Sequence, residues 1–356
     1  MPVTARRFAS GAAAATVLLL PVVASLAATP LSEVRVSPDT TVTLSGTTAD
    51  DESVVRDDLA GSVTLLAIGS IPAETDLDAY NVRPNGVRLL SFDTTVVLPG
   101  GITARPGDVV RYDGASYAIE FNAAAVGIGT GVNLDAVALY GSSLLLSFDT
   151  AFDIAGLHVE PADLVLFDGA TFTSFFSAAT AGIASGLNLD AADYLPCNGH
   201  LLLSFDGSGS IGGVAFDDED ALEFDRASTW EMAYDGSAHD PNWGPADLDS
   251  VHAVVNLGAG TPAVFDQTVK ADADKTTFRW PTGLAYRAVR GTFTTSTSIG
   301  AYAVQIITIA TSNVVGEPST PAAGTGFWIL VKPGGCAPTS WQSTLGSEPG
   351  RDSAIP

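Results

Sequence analysis

The sequence predicts an all-β fold, and two observations carry this prediction. A short motif recurs as Ser91-Phe92-Asp93, Ser147-Phe148-Asp149 and Ser204-Phe205-Asp206, at spacings of 56 and 57 residues. The apolar segments around it are short, rich in Val, Ile, Phe, Tyr and Leu, and bounded by Gly, Asp, Asn or Pro. Such segments are typical of β-strands joined by tight turns, and the region shows no helical periodicity.

Each repeat contains four strand-like segments in a fixed order. The first carries Leu-Asp-Ala, the second Leu-Ser-Phe-Asp, the third an aromatic residue before Asp, and the fourth is an apolar run. The copy of the third segment at 52–58 is eroded and has no aromatic residue. In the third segment Val110 and Tyr112 share one face, as the period of two in a strand requires. The third segments are residues 52–58, 108–114, 163–169 and 220–226, and the fourth are 62–68, 116–121, 171–176 and 229–234.

The phase of the repeat indicates how the strands close. Four-stranded units of about 57 residues cannot bury their own faces, and radial stacking of such units gives a β-propeller. We align TVTLSG (41–46) with the second segment, so the first unit lacks its first strand. The segment at 248–256 completes that unit and closes a ring without free sheet edges. The sequence therefore predicts a four-bladed β-propeller over residues 34–256, with a flattened β-sandwich or a solenoid as the alternative.

The N-terminus is typical of a secretory signal peptide. A basic pair, Arg6-Arg7, precedes an apolar stretch at 12–24, and Ser25-Leu26-Ala27 supplies small residues at the cleavage positions. Pro21 argues against an uncleaved membrane anchor. We assign residues 1–28 to the signal peptide and expect a secreted protein, extracellular, periplasmic or at the cell surface, with no transmembrane segment after cleavage.

The net charge of the chain limits the classes of partner that it can bind. The chain has 40 acidic and 16 basic residues and a net charge of −24. A surface this acidic repels nucleic acid and anionic lipid, and it attracts divalent cations or basic partners. Solubility in salty or acidic surroundings is the alternative reason for the charge. We expect a monomer with an extracellular ligand or protein partner, and the pairing of Cys197 with Cys336 stays open.

The repeat stops after residue 256. Trp280, Tyr286 and the aromatic run Phe327–Val331 resemble the pattern of a fibronectin type III module. The LSFD and YDG repeats resemble those of β-propeller-type secreted bacterial proteins. The first resemblance implies a β-sandwich over residues 262–356, of a kind that usually acts as a spacer or adhesion domain.

Aspartates recur at equivalent places in the repeats. An Asp before Gly is a turn signature, because its side chain bonds the backbone two residues on. Carboxylates that converge on an axis also suit Ca²⁺, which takes six to eight oxygens. The three sets are Asp78, Asp135, Asp190 and Asp249; Asp93, Asp149 and Asp206; and Asp113, Asp168 and Asp225. The densest acidic run predicts a peripheral Ca²⁺ site with Asp217, Asp218, Glu219 and Asp220 as ligands.

Two further segments bear on binding. The loop SAHDPNWGP (237–245) is longer than its counterparts, so His239, Asp240, Asn242 and Trp243 are candidate ligand-binding residues; a structural insertion is the alternative. GSGSIG (207–212) matches a dinucleotide fingerprint but lies where the other repeats have a hairpin. We therefore expect no organic cofactor.

The sequence supports catalysis only weakly. Its four histidines are scattered, and it contains neither HExxH nor G-x-S-x-G. We assign no catalytic residue and expect a non-catalytic binding or interaction protein, stabilised by Ca²⁺ if the acidic sites bind it. The alternatives are an extracellular hydrolase of polysaccharide or another polymer, and a structural envelope component.

Overall fold

The computed structural model describes residues 28–73 and 75–255, and the backbone of six strands between residues 270 and 333. Residues 28–255 form four antiparallel sheets of four strands each, here called blades 1 to 4 and listed from the inner to the outer strand. Blade 1 is Leu248–Val255, Leu31–Pro38, Val55–Asp57 and Val63–Leu65. Blade 2 is Ala79–Val82, Arg88–Ser91, Val109–Tyr112 and Tyr117–Phe121. Blade 3 is Ala136–Tyr140, Ser143–Ser147, Leu164–Phe167 and Phe172–Phe176. Blade 4 is Ala191–Leu195, His200–Ser204, Asp220–Phe224 and Trp230–Asp235.

The four inner strands form a closed ring. Each inner strand contacts the inner strands of the two neighbouring blades, and that of blade 1 contacts those of blades 2 and 4. In blade 1 the last strand of the repeat pairs with the first, with Val34 opposite Ala253 and Val36 opposite Val251. The fold is therefore a four-bladed β-propeller, and its closing blade joins the two ends of the repeat region.

The alignment of TVTLSG with the second segment is wrong. The second strand of blade 1 is Leu31–Pro38, whereas Val42–Leu44 pairs with Thr47–Ala49 in a small hairpin. TVTLSG is instead equivalent to TVVLPG at 95–100, which also lies in such a hairpin. The motif was hidden because Pro38 stands where the other blades have Phe.

Each blade has one of these hairpins between its second and third strands. The others are Val96–Leu98 with Ile102–Ala104, Phe152–Ile154 with Leu157–Val159, and Gly209–Ile211 with Val214–Phe216. The last holds GSGSIG, so the expected hairpin is confirmed. Its two turn residues, Gly212 and Gly213, have φ of 60° and 89°, as a type I′ turn requires.

The Ser-Phe-Asp motif joins neighbouring parts of the fold. In blade 3, the Ser147 hydroxyl donates to the carbonyls of Pro161 (3.0 Å) and Asp163 (2.9 Å), just before the third strand. Phe148 is fully buried in the core between blades 2 and 3. In that core Phe121 lies 5.1 Å from Phe167, ring centroid to centroid. The motif recurs because blades 2, 3 and 4 share the same serine hydrogen bonds and the same buried phenylalanine.

The remaining elements are short or lie in the C-terminal region. Brief helical turns, Ala124–Val126, Ala178–Ala181 and Gly236–His239, follow three of the outer strands. One C-terminal sheet holds Lys270–Ala271, Thr277–Arg279 and Val314–Gly316, and another holds Gln305–Ala310, Tyr286–Phe293 and Gly326–Pro333. Trp280 and the side chains of the predicted fibronectin-like module lie outside the described residues.

Cys197, in the hairpin that follows the inner strand of blade 4, is disulfide-bonded. The chain has one other cysteine, Cys336, which lies outside the described residues. No helix in the part of the chain that the structure describes is both long and apolar enough to cross a membrane.

Candidate functional site

The two ends of the propeller axis carry different polar side chains. At one end, where each inner strand begins, the sequence reads Asp-Leu-Asp or Asn-Leu-Asp in all four blades. We call the eight polar residues of these triplets the axial carboxyl ring. Its members are Asp76, Asp78, Asn133, Asp135, Asn188, Asp190, Asp247 and Asp249.

The two asparagines link consecutive blades. Asn133 Nδ2 donates to Asp78 of blade 2 (2.7 Å) and to Asp135 of its own blade (3.1 Å). Asn188 Nδ2 makes the same pair of bonds to Asp135 (2.7 Å) and Asp190 (3.0 Å). Each amide therefore neutralises part of the charge on two carboxylates and holds two blades together.

Aspartates occupy the corresponding places at the other two junctions. Asp247 lies close enough to Asp190, and Asp76 close enough to Asp249, for the negative charge of one carboxylate to raise the pKa of the other. These two junctions therefore bring buried carboxyl groups together where the other two have an amide donor, and this favours the protonated form.

Burial shifts the titration of the ring. Burial, together with neighbouring carboxylates and against the hydrogen bonds from the asparagines, raises the pKa of Asp78 to about 8 and that of Asp135 to about 7. Burial and the adjacent carboxylates also raise the pKa of Asp190 and of Asp249. The buried oxygens without a hydrogen-bond partner include Asp76 Oδ1, Asn133 Oδ1, Asn188 Oδ1, Asp190 Oδ2 and Asp249 Oδ2. The ring therefore retains protons at pH values where exposed aspartates have lost them.

Five of the six aspartates in the other two sets accept hydrogen bonds from backbone amides. Asp149 Oδ1 accepts from the amide of Asn133 (2.9 Å), and Asp206 Oδ1 accepts from that of Asn188 (2.8 Å), so these carboxylates position the ring. Asp113, in the third set, accepts from the amides of Ala115 and Ser116. Asp168 and Asp225 make equivalent bonds two and three residues on. The predicted turn role of this third set is confirmed.

A pocket opens at the opposite end of the axis, among the hairpins that follow the inner strands. We call it the hairpin-end pocket; its volume is about 550 Å³. Its lining residues are Arg35, Asn81, Val82, Arg83, Pro84, Gly86, Leu139, Gly141, Asp193, Tyr194, Pro196 and His252. Apolar walls around a few polar groups are typical of small-molecule sites.

The polar residues of the pocket depart from the repeat. Three positions after the ring aspartate, the four inner strands carry Asn81, Ala138, Asp193 and His252. Asn81 Nδ2 donates to Asp193 Oδ1 (3.0 Å), and the amide of Ala253 donates to Asp193 Oδ2 (2.9 Å). His252 Nδ1 lies 3.1 Å from the same Oδ2, at ion-pair distance but without hydrogen-bond alignment. Three blades thus contribute different groups to one buried cluster.

The pocket also concentrates basic side chains in a strongly acidic protein. Arg35 Nε contacts Glu33 at 2.6 Å, and Arg83 Nη2 contacts Glu120 at 2.7 Å, so each guanidinium retains further donors. Together with His252 they place three nitrogen-based groups around one cavity. The arrangement can bind a polar or anionic group at its base and an apolar portion against its walls.

An aromatic group lies beside this pocket. Tyr140 is 40% exposed, and its ring centroid lies 5.0 Å from those of Tyr194 and of Phe175 in edge-to-face contacts. Tyr194 itself lines the pocket. Tyr140 therefore adds an exposed aromatic surface next to the cavity.

The acidic run predicted to bind Ca²⁺ makes backbone contacts. Asp220 Oδ2 accepts from the amide of Asp217 (2.9 Å) and its Oδ1 from that of Gly236 (3.2 Å). Asp108 and Asp163 make the same two bonds in blades 2 and 3. The backbone carbonyl of Asp218 accepts from a serine hydroxyl, and Glu219 is buried. Among the described residues no three His, Cys, Asp or Glu side chains are placed to hold a metal ion. Ca²⁺ binding stays a prediction.

The long loop at 237–245 packs against blade 1. Asp240 Oδ2 accepts from the amide of Ser45 (2.6 Å), and Asn242 Nδ2 donates to the carbonyl of Thr43 (2.8 Å). Trp243 is 1% exposed, in the core between blades 4 and 1. His239 stacks on a buried tyrosine and retains a third of its side-chain exposure. These contacts account for the extra length of the loop, and ligand binding there stays a prediction that depends on His239.

Sequence reasoning missed the pocket residues. Asn81, Asp193 and His252 belong to no motif. Asn81 and Asp193 are 112 residues apart in the sequence, and Asp193 and His252 are 59 residues apart. The signal that identifies them is a mismatch at one fixed position of an otherwise regular repeat. Arg35 lies outside that signal, because its strand was not recognised as part of blade 1.

Comparisons with known proteins give distant structural likenesses. No protein-family model and no curated protein matches the chain. Virginiamycin B lyase from Staphylococcus aureus aligns with 70% of this chain and 87% of its own, at 8% identity and a TM-score of 0.29. A nidogen/laminin complex aligns with 70% of this chain and 69% of its own, at 10% identity and a TM-score of 0.28. YCF48 from Cyanidioschyzon merolae aligns with 65% of this chain and 59% of its own, at 9% identity and a TM-score of 0.24. Likeness at this level carries no argument about activity, and the fold rests on the sheets themselves.

Proposed function

We propose that this is a secreted or cell-surface binding protein whose ligand enters the hairpin-end pocket. One observation carries the proposal: the polar residues of the pocket break the fourfold pattern. A residue type that recurs in every blade serves the shared architecture. Asn81, Asp193 and His252 serve no such shared need, yet they meet in one buried cluster.

The chemistry of the pocket suggests the class of ligand. Arg35, Arg83 and His252 attract an acidic group, and Asp193 is already engaged by donors from the protein. Leu139 and Tyr194 offer apolar contact to the rest of the molecule. A small organic acid or an acidic sugar, with an apolar or ring-shaped body, fits this combination.

A binding screen on the mature protein tests the proposal. We would measure thermal shifts with a library of small organic acids and acidic sugars, and then titrate the hits by calorimetry. We expect His252→Ala to weaken binding, and His158→Ala, which changes an exposed histidine of a blade 3 hairpin, to leave it unchanged. Hits that bind the His252→Ala variant equally well would contradict the proposal.

A hydrolase is the second candidate, and the contact between His252 and Asp193 favours it. A carboxylate oxygen lies 3.1 Å from Nδ1 of this histidine, and a histidine beside a carboxylate is a common pair in general acid–base catalysis. Turnover of a pocket ligand by the wild type, lost in both His252→Ala and Asp193→Asn, would favour the enzyme. Binding without turnover would favour the binding protein.

We further propose that residues 262–356 form a separate fibronectin type III-like module that acts as a spacer or adhesion domain. Its support is the sequence resemblance around Trp280 and Tyr286. Limited proteolysis tests the boundary, because cleavage between about 256 and 262 would release two stable fragments when the disulfide is reduced. Ca²⁺ stabilisation is tested by the thermal midpoint with and without EDTA, which would fall on chelation.

A further inference from the structure

A buried carboxylate in blade 4 holds residue 29. Glu223 is 4% exposed and accepts from the Thr29 backbone nitrogen at 2.6 Å and from the Thr29 hydroxyl at 2.5 Å. His200 Nδ1 lies 2.5 Å from the same carboxylate, and Asn198 Nδ2 donates to it at 3.1 Å. Asn198 Nδ2 also donates to the Thr29 hydroxyl at 2.8 Å. We call Asn198, His200 and Glu223 the Glu223 cluster; it binds both the main-chain nitrogen and the side chain of residue 29.

The Glu223 cluster is a departure from the repeat. The positions equivalent to Glu223 in the third strands of blades 1, 2 and 3 are Arg56, Arg111 and Leu166. Shared architecture therefore does not require an acid there. The acid occurs in the blade against which the chain segment before Leu31 packs.

The cluster is suited to a positive charge. Burial alone would raise the pKa of Glu223, but hydrogen bonds from His200 and Thr29 outweigh it and lower that pKa. A buried ionised carboxylate is stabilised best by charged donors. A peptide amide at residue 29 offers one uncharged N–H, whereas an α-amino group offers three N–H donors and a charge near neutral pH.

We propose that export processing cleaves the Ala28–Thr29 bond and that the new α-ammonium of Thr29 pairs with Glu223. The sequence assigns residues 1–28 to the signal peptide, and Ala27 and Ala28 are the small residues immediately before the proposed cut. The cleavage is a hydrolysis: water supplies the hydroxyl of the new Ala28 carboxyl group and the hydrogen of the new Thr29 amine. Solvent then protonates that amine. Removal of the signal peptide thereby completes an ion pair that anchors the N-terminal segment to blade 4.

The first experiment identifies the N-terminus of the exported protein. Intact-mass measurement and N-terminal sequencing of the secreted chain should give Thr29 as the first residue. A chain that begins at Ala28, or at any other residue, overturns the proposal.

The second experiment tests what the ammonium does. We would compare the chain that begins at Thr29 with one that carries an additional Gly before it, in the wild type and in Glu223→Gln. The wild type should melt about 5 °C higher with the free Thr29 amine than with the added Gly. That difference should disappear in Glu223→Gln and persist in Glu160→Gln, a matched change at an exposed glutamate of blade 3.

Equal midpoints for the two wild-type chains would overturn the proposal, and so would a difference that survives in Glu223→Gln. The comparison between the two wild-type chains stands even if the Glu223→Gln variant does not fold. Neither experiment depends on a ligand in the hairpin-end pocket.

Discussion

The two ends of the propeller axis differ in how regularly their polar residues repeat from blade to blade. At the axial carboxyl ring an Asp-Leu-Asp or Asn-Leu-Asp triplet begins the inner strand of every blade, and asparagine amides bond across two of the four junctions. At the hairpin-end pocket the equivalent positions differ from blade to blade, and a cavity of about 550 Å³ opens among them. Repetition therefore marks the end that holds the blades together, and its loss marks the end at which we propose that a ligand binds.

The largest expected effect is a loss of folding stability at high pH, which originates at the axial carboxyl ring and not at the hairpin-end pocket. Because the pKa values of Asp78 and Asp135 are raised to about 8 and about 7, the folded ring binds more protons than the unfolded chain. This stabilisation is complete below the unfolded pKa of about 4 and is lost as the pH rises through 7 to 8. The free energy of unfolding should fall by on the order of 5 kcal/mol between pH 5 and pH 9. Denaturant titrations at pH 5, 7 and 9 measure it, and a stability that rises over this range would contradict the role of the ring.

Removing an amide from the ring should have the next largest effect. Asn188→Asp replaces a donor to two carboxylates with a further buried acid, so we expect a loss of about 3 kcal/mol at pH 8. The loss should shrink at pH 5, where the new carboxyl can be protonated. Urea unfolding at both pH values measures the change. A loss that does not depend on pH would show that the amide acts through packing alone.

The reverse substitution should stabilise the protein. Asp247→Asn supplies the amide donor that blades 3 and 4 already have, and its oxygen can keep the bond from the Leu248 amide. We expect a gain of about 1–2 kcal/mol at pH 8 and little change at pH 5. Asp153→Asn, at a carboxylate that is 80% exposed, is the control and should change stability by less than about 0.5 kcal/mol.

The smallest expected effect on stability belongs to the pocket. His252→Ala should change the free energy of unfolding by about 1 kcal/mol or less, because the ion pair with Asp193 lacks hydrogen-bond alignment. It should nevertheless weaken binding of a pocket ligand at least about tenfold. Asp247→Asn, at the opposite end, should leave that affinity unchanged. A His252→Ala variant that binds normally but unfolds readily would reverse the assignment of the two ends.

The fold was largely predictable because repetition reports it directly. The recurrence of Ser-Phe-Asp and Leu-Asp-Ala indicated four-stranded blades, four of them, with the strand at residue 248 closing the ring. The error at residues 41–46 arose where Pro38 replaces the aromatic residue of the motif. One such substitution at a strand end hides the strand without altering its pairing, because register depends on the backbone and on the buried valines beside it.

The candidate site was far less predictable. The loop around Trp243 is longer than its counterparts in the other blades, and this length predicted a ligand site. In the structure the loop packs against blade 1. Asn81, Asp193 and His252 have no motif of their own and become a site only when three inner strands meet at the axis.

By itself, the sequence determined the class of the fold, the number of blades, the strand order and the closure, since each follows from local patterns repeated at a constant spacing. It also determined the turn role of Asp113, whose partners are its sequence neighbours. Only the tertiary structure decided which aspartates form the axial carboxyl ring, which side chains line the pocket, and that Glu223 holds Thr29 across a separation of 194 residues. These contacts join different blades, and no local pattern records which residues a closed ring will bring together.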